Sequence, residues 1–349
     1  MSDFHIEQTQ SANGKPMALI DGRGASLAAL QAWKRESRNT LESEWIKHGV
    51  LRFRNFDVLG AESFEQVALA LEPDLKNDYL GTSPRNAMSR YVFTASELSP
   101  YYPITQHIEM SFLPSAPRKL FFHCTIPTAR DGETPTVDYR AVLRSLDPEV
   151  RRAFETHGVR NIRNYDGPAT PKGSDLWKLK RWDEMFQSQD RTEVERKALE
   201  QGLTCTWLPQ DRLRLTNTQP ATRVHPVTGE AVWFNHTQVF HLTTAAIEYR
   251  HIFKRQRSVR SAFYAALLAL LTPLKRRTPS EEQGMHATFG DGREIPASYV
   301  EHLLDTIWQH LVIEPWHKGD VMAIDNRSSG HGRLPFTGPR EVLVAWTGT

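Results

Sequence analysis

Apolar positions fall at helical spacing across residues 27–48 (SLAALQAWKRESRNTLESEWIK), and that period predicts a helix. GVLRFRNF then alternates apolar and basic residues, the pattern of a strand. SFEQVALALEP reads as a second short helix that Pro73 stops. From residue 104 the texture changes to short β-type runs between turn residues, KLFFHCTIP and TPTVDY. Residues 139–157 return to helix. LRLTNTQPATRVHPVTGEAVWFN predicts strand, turn, strand, with TG in the turn. Helical blocks follow over about 244–272 and 297–311. The chain ends in β again: GDVMAIDN, a loop through His331, then REVLVAWTG.

Strands thus carry the middle and the C-terminus, with helices before and between them. That order suits an α+β domain on an antiparallel sandwich or barrel. No regular alternation of strand and helix occurs, and no glycine-rich strand-to-helix turn, so a doubly wound nucleotide-binding sheet is disfavoured. One domain over 1–349 is expected. Its first twenty residues are polar and expected to be loosely ordered. Residues 160–203, polar and rich in Trp and charge from 174 onward, are expected to form a lid inserted between two halves of the sheet domain.

Composition narrows the classes. The chain has 349 residues, 39% hydrophobic and 24% charged, ordinary for a globular protein. A formal charge of +2 demands neither nucleic acid nor an anionic membrane. The aromatic and basic run LWKLKRW (176–182) is therefore read as part of the lid, not as a nucleic-acid platform. Cys124 and Cys205 form no CxxC pair, which excludes a zinc ribbon or thioredoxin-type site; inert thiols of a cytoplasmic protein are expected. The N-terminus lacks the basic start and apolar core of a secretory signal. The most apolar stretch, 262–271, has about half the length a spanning helix needs. Pro273 and the basic residues Lys275, Arg276 and Arg277 follow it, and a buried or amphipathic helix is predicted.

The chemistry concentrates in Gln106-His107-Ile108-Glu109-Met110. On a strand, residues two apart share a face, so His107 and Glu109 project together while Ile108 turns into the core. An imidazole and a carboxylate on one face are two ligands of a 2-His-1-carboxylate triad, which leaves open positions on iron(II). His331, in a glycine-flanked loop, is the candidate third ligand. Alone, H-x-E is weak, because 14 histidines and 41 acidic residues make chance pairs expected. Arg340, nine residues after His331 and at the start of a strand-like run, adds a guanidinium able to grip a carboxylate bidentately.

The order H-x-E, Gly132-Glu133-Thr134-Pro135, then HGR…F-x-G-P-R resembles the taurine dioxygenase/TfdA-like superfamily of iron(II)/2-oxoglutarate oxygenases. It is most similar to the syringomycin-type amino-acid β-hydroxylases of peptide and amino-acid antibiotic pathways. The resemblance runs from about residue 40 to the end through TPTVDYRAVLRSLDPEV, RNYDG, HPVTGEAVWFN, FGDG and KGDVMAIDN, apart from 252–286. It implies a double-stranded β-helix (jelly-roll) core with flanking helices. It also implies iron held by His107, Glu109 and His331, and the distal carboxylate of 2-oxoglutarate held by Arg340 with help from the Thr134 hydroxyl. Dioxygen is the co-reactant, succinate and carbon dioxide the by-products, and C–H hydroxylation the outcome. A carboxylate at Glu109 argues against halogenation; desaturation and epoxidation use the same triad. The family often has a second arginine four residues after the first; here that position is Val344.

Other residues are weighed in the same way. His236 and His241 in HTQVFH lie five apart, on opposite strand faces and apart on a helix, and are read as structural. Asn235 either lines the substrate pocket or satisfies a turn. The basic run 250–260 is either a solvated helix face or a dock for an acidic carrier protein that presents a tethered amino acid. A small amino-acid-like substrate, free or tethered, and a homodimer are the implied partners. Two alternatives stand beside an amino-acid β-hydroxylase: a same-fold oxygenase of a small sulfonate or organic acid, and a non-catalytic sandwich-fold binding protein.

Overall fold

The computed structural model describes residues 4–77, 85–96, 98–170, 181–279 and 282–349. Its largest sheet has eight strands. Ile6–Gln10, Pro16–Ala25, Val50–Phe56, Val321–Asp325, Lys119–Ile126, Glu341–Thr347 and Leu75–Lys76 follow one another across it, and Phe93–Thr94 also pairs with Glu341–Thr347. Only the Pro16–Ala25 and Val50–Phe56 pair is parallel.

Alternation sends successive side chains to opposite faces. Phe121, Val321, Ala323, Leu343 and Ala345 pack with Leu30, Trp45, Phe64 and Val67 of the helices Leu27–Glu36, Arg38–His48 and Ala61–Leu71. Leu120, Phe122, Cys124, Met322, Ile324, Val342, Val344 and Trp346 form the inner face with Trp316. Both faces are buried, so these strands read as nearly unbroken apolar runs.

A three-stranded sheet, ordered Ile104–His107, Ser329–Arg333, Thr136–Asp138, meets that inner face, where the Phe122 and His331 rings lie 4.8 Å apart. A four-stranded sheet of Thr204–Leu208, Arg212–Gln219, Val159–Tyr165 and Met285–Phe289 shares a core with the helices Tyr139–Ser145, Pro148–His157, Thr244–Gln256 and Ala297–His310. The result is the jelly-roll core with flanking helices that the resemblance implied.

Three predicted helical blocks are each two helices. Ser37 closes the first helix and opens the next. Asp147 caps the N–H groups of Glu149 and Val150, with Pro148 in the first turn, so 139–157 divides there. Arg257, at φ 48°, ends Thr244–Gln256 before Ser258 caps Val259–Lys275. This last helix is amphipathic: only Ser261 and Leu268 are buried, while Val259, Phe263 and Leu270 are exposed. Among the described residues no helix is long and apolar enough to cross a membrane. Both thiols are free, and burial pushes Cys124 up to about 12 and Cys205 to about 11, so neither is a nucleophile at neutral pH.

Two expectations are corrected. The first twenty residues are not loosely ordered from residue 6 onward: Ile6–Gln10 and Pro16–Ala25 form a hairpin at the sheet edge, held because Ala18 and Ile20 turn into the core. Residues 160–165 are not lid: they belong to the central strand of the four-stranded sheet, paired on both sides. The later part of that segment holds the helices Trp182–Phe186 and Arg191–Glu200, and residues 171–180 lie outside the described residues.

Candidate metal centre

His107 is the last residue of its strand, and its register partner across the antiparallel pair is His331. The imidazole rings are 4.7 Å apart. His331 lies on the strand Ser329–Arg333, not in the loop predicted for it, with Thr136 as its partner on the other side. The flanking glycines serve close strand packing. A Cβ at Gly330 would come within 2.3 Å of the Tyr139 ring and 2.9 Å of the His107 carbonyl oxygen; one at Gly332 would come within 2.4 Å of the Ile104 carbonyl.

Glu109 is not on a strand. Its backbone is in a turn just past the strand end, and Met110, at φ 55°, holds the left-handed conformation that completes it. The expected alternation therefore fails locally, yet the turn still returns the carboxylate to the histidines, and Ile108 is buried in the core as predicted. Glu109 Oε2 lies 3.9 Å from His107 Nε2 and 3.7 Å from His331 Nε2. Asn326 fixes the turn: its Oδ1 accepts from the Glu109 N–H at 2.8 Å, and its Nδ2 donates to the Glu109 carbonyl at 3.1 Å.

Protonation suits a cation here. His107 Nδ1 lies 2.8 Å from the Thr105 carbonyl, which can only accept, so Nδ1 is the donor there and Nε2 is the ring nitrogen left to face Glu109 and His331. Burial, and next the neighbouring His107, push His331 down to about 3, so it is neutral at neutral pH. Burial opposes ionisation of Glu109. The His107 hydrogen bond and the charge of Arg85, whose Nη2 is 3.2 Å from Oε2, outweigh it and hold the carboxyl well below the usual range. Two imidazole nitrogens and one carboxylate oxygen, all within 4.8 Å of one another, are a donor set that fits iron(II).

Arg340 and Thr134 meet. Arg340 Nη2 donates to Thr134 Oγ1 at 3.0 Å, Arg340 Nε donates to the Gly132 carbonyl at 2.8 Å, and Trp316 Nε1 donates to the same Thr134 oxygen at 2.9 Å. Burial pulls Arg340 down to about 10, which leaves it charged at neutral pH. Residues 133–135 run beside the His331 strand: Gly332 N–H donates to the Pro135 carbonyl and Leu334 N–H to that of Glu133. Thr134 is thus built beside the sheet that carries His331, and Arg340, just before Glu341–Thr347 of the eight-stranded sheet, reaches across to it. Val344 is fully buried beside Phe122 on the inner face, so the strand after Arg340 presents no second cation there.

Asn235 has both ends of its amide engaged in a turn, donating to the Ala221 carbonyl and accepting from the Thr237 N–H. His236 packs edge-on to His107 at 5.3 Å and hydrogen-bonds Ser111. His241 instead neighbours His286, which pairs with Glu294. Arg333, from the HGR triplet, is a staple: it donates to the carbonyls of Leu98, Ser99 and Tyr102. Asn326 and Arg85 escaped the sequence reading; Asn326 lies within the KGDVMAIDN segment that carried the resemblance.

A jelly roll with this donor set defines a class, the non-haem oxygenases. Residues 10–346 match the family described as "Taurine catabolism dioxygenase TauD, TfdA family", and the chain belongs to it. It is a dioxygenase of the iron(II)- and 2-oxoglutarate-dependent class, with dioxygen as co-reactant. It is 31% identical over 309 residues to dapdiamide synthesis protein DdaC of Enterobacter agglomerans, covering 88% of this chain and 85% of that one. It is 29% identical over 339 residues to a clavaminate synthase-like protein of Arabidopsis thaliana, covering 95% and 91%. Among solved structures, PvcB of Pseudomonas aeruginosa superposes with a TM-score of 0.54 at 14% identity, over 99% of this chain and 92% of that one.

Proposed function

We propose that this chain hydroxylates an unactivated C–H bond, at the β-carbon of an amino acid, with His107, Glu109 and His331 holding iron(II) and Arg340 with Thr134 holding 2-oxoglutarate. The observation that carries the reading is the convergence of His107 Nε2, Glu109 Oε2 and His331 Nε2 on a sheet beside which the Arg340–Thr134 pair is built. The likeness to a dapdiamide synthesis protein supports an amino-acid-derived substrate.

When bound, iron and 2-oxoglutarate supply the oxidising power, coupled to decarboxylation to succinate. The chain's own part is positional. Three ligands of this kind would leave coordination positions free for cosubstrate and dioxygen. Arg340 offers a charged guanidinium to a carboxylate, and Thr134 keeps it aimed. Phe122 and the apolar inner face exclude water behind His331. As a ligand, Glu109 would take the position that a halide needs, which favours hydroxylation over halogenation.

Presentation by an acidic carrier protein has limited support, because Arg250 pairs with Glu301 and Asp305, and Arg255 with Glu133. The test is anaerobic titration of the protein with iron(II) and 2-oxoglutarate, following the visible charge-transfer band of the chelate. The band is expected with wild type and lost or severely weakened in His107→Ala and Arg340→Ala. A wild-type protein that binds neither would overturn the proposal.

A further inference from the structure

The strand Val159–Tyr165 places Asn161, Arg163 and Tyr165 on one face, and register sets Asn217 opposite Asn161. All four are buried; Arg163 is 1% exposed. Apart from the contact that Arg163 and Tyr165 make with each other, seven of their side-chain atoms have no hydrogen-bond partner among the described residues: Arg163 Nε, Nη1 and Nη2, both amide atoms of Asn161, the Tyr165 hydroxyl and Asn217 Oδ1. Native proteins leave few buried polar groups unpaired, and a lone buried guanidinium is among the costliest of them. Seven on one face of one strand pair is a prepared polar surface.

Packing alone does not explain Arg163. Its guanidinium stacks 4.6 Å over the Phe112 ring, but an aromatic face satisfies none of its N–H donors. No carboxylate of the described residues pairs with it. The same contacts connect it to the metal centre: Phe112 lies 4.9 Å from His236, and His236 lies 5.3 Å from His107. Arg163 therefore stands on the four-stranded sheet, one cation–π contact and two ring contacts from the candidate ligand His107.

We infer that Arg163 and Tyr165 bind the free carboxylate of an α-amino-acid substrate, with the Asn161 and Asn217 amide oxygens accepting from its ammonium group. A guanidinium and a phenol supply donors for a carboxylate; two amide oxygens supply acceptors for an ammonium. The inference rests on the amino-acid oxygenase reading above and narrows it. The substrate is a free amino acid, because a carrier thioester has no carboxylate to offer Arg163.

Calorimetry on the anaerobic iron(II)- and 2-oxoglutarate-loaded protein tests this, with a panel of free L-amino acids, each beside its α-carboxamide. At least one acid is expected to bind wild type, with its carboxamide at least tenfold weaker. Arg163→Gln is expected to bind that acid at least a hundredfold more weakly and to lose the preference for acid over amide. Arg163→Lys is expected to keep part of it. The chelate band, measured on each variant, reports an intact metal centre. If the band forms and no free acid binds, or acid and amide bind alike, or Arg163→Gln binds the acid as wild type does, the inference falls and the oxygenase reading stands. If wild type gives no band, it is the oxygenase reading that fails, and the acid–amide comparison on the metal-free protein still reads Arg163. A purely structural arginine would show instead as a lower melting temperature of metal-free Arg163→Met, with acid and amide affected equally.

Discussion

Asn326 brackets the backbone of Glu109, accepting from its N–H and donating to its carbonyl, while the same Nδ2 donates to the Pro117 carbonyl at 2.8 Å. Glu109 sits in a turn and not on a strand, so this one amide substitutes for the ladder that would otherwise hold it. Groups that orient metal ligands typically change affinity roughly 10–100-fold when removed. Asn326→Ala is expected to weaken iron(II) binding within that range, measured by competition with a colorimetric chelator. Asn326→Asp keeps the acceptor but turns a carboxylate oxygen toward two carbonyls, and a lower melting temperature than Asn326→Ala is expected. Unchanged iron affinity in both variants would show that the turn holds Glu109 without Asn326.

This bracket marks the limit of what the sequence discloses. His107, Glu109 and His331 were legible because ligand types and spacing are written in the chain. The reason given for the spacing was not sound: the strand stops at His107, and a turn through Met110 does the work assigned to alternation. The glycines around His331 suggested a loop, whereas they admit a strand pressed between two neighbours. Asn326 is 217 residues from the Glu109 it brackets, and Arg85 and Arg163 lie outside the segments that carry the triad, so these placements are a property of the tertiary fold that no local pattern carries. The edge hairpin was the most readable of the missed elements, since PMALIDGRGA turns Ala18, Ile20 and Gly22 to one face at a period of two.

Arg340 and Thr134 define a second prediction. Arg340 already spends Nε on the Gly132 carbonyl and Nη2 on Thr134, so its plane is fixed before any ligand arrives. Removing a buried partner of a charged ligand costs about 2–5 kcal/mol. Arg340→Ala should therefore raise the 2-oxoglutarate Kd by at least ~30-fold, which follows from the lower figure. Thr134→Val removes the acceptor for both Arg340 and Trp316 but keeps the charge, and a smaller rise of about tenfold is expected, the scale of one lost buried hydrogen bond. Calorimetry with metal-loaded protein reads both. Equal effects would show that Thr134 binds the cosubstrate as strongly as the guanidinium does.

Gly330 carries a third. Its missing Cβ is what lets the His331 strand lie against Tyr139 and the His107 backbone together. Neither neighbour is free to move: Tyr139 is fully buried with its hydroxyl donating to the Gln106 carbonyl at 2.6 Å, and His107 is register-paired. Overpacking of this kind costs about 1–3 kcal/mol. Gly330→Ala is expected to lower the denaturation midpoint and to weaken iron binding together, because the displaced strand carries His331. A stable variant with normal iron affinity would show that the strands separate without disturbing the ligands.

Glu248 contributes to the pH dependence of folding. Its carboxyl is 1% exposed, accepts from Trp308 Nε1 at 3.0 Å, and is pushed by burial from the ordinary 4.5 up to about 7. The folded state thus holds this proton more tightly than the unfolded chain. Stability from Glu248 is greatest below about pH 4.5, falls as pH rises toward about 7, and is constant above it. The gap amounts to about 3 kcal/mol at neutral pH. Glu248→Gln retains an acceptor for Trp308 and has no proton to lose. It is expected to stabilise the protein at pH 8 by up to that amount and to be nearly neutral at pH 5. Urea midpoints for both proteins across that range give the comparison, and a Glu248→Gln difference independent of pH would mean that the carboxyl ionises in the folded state as it does in water.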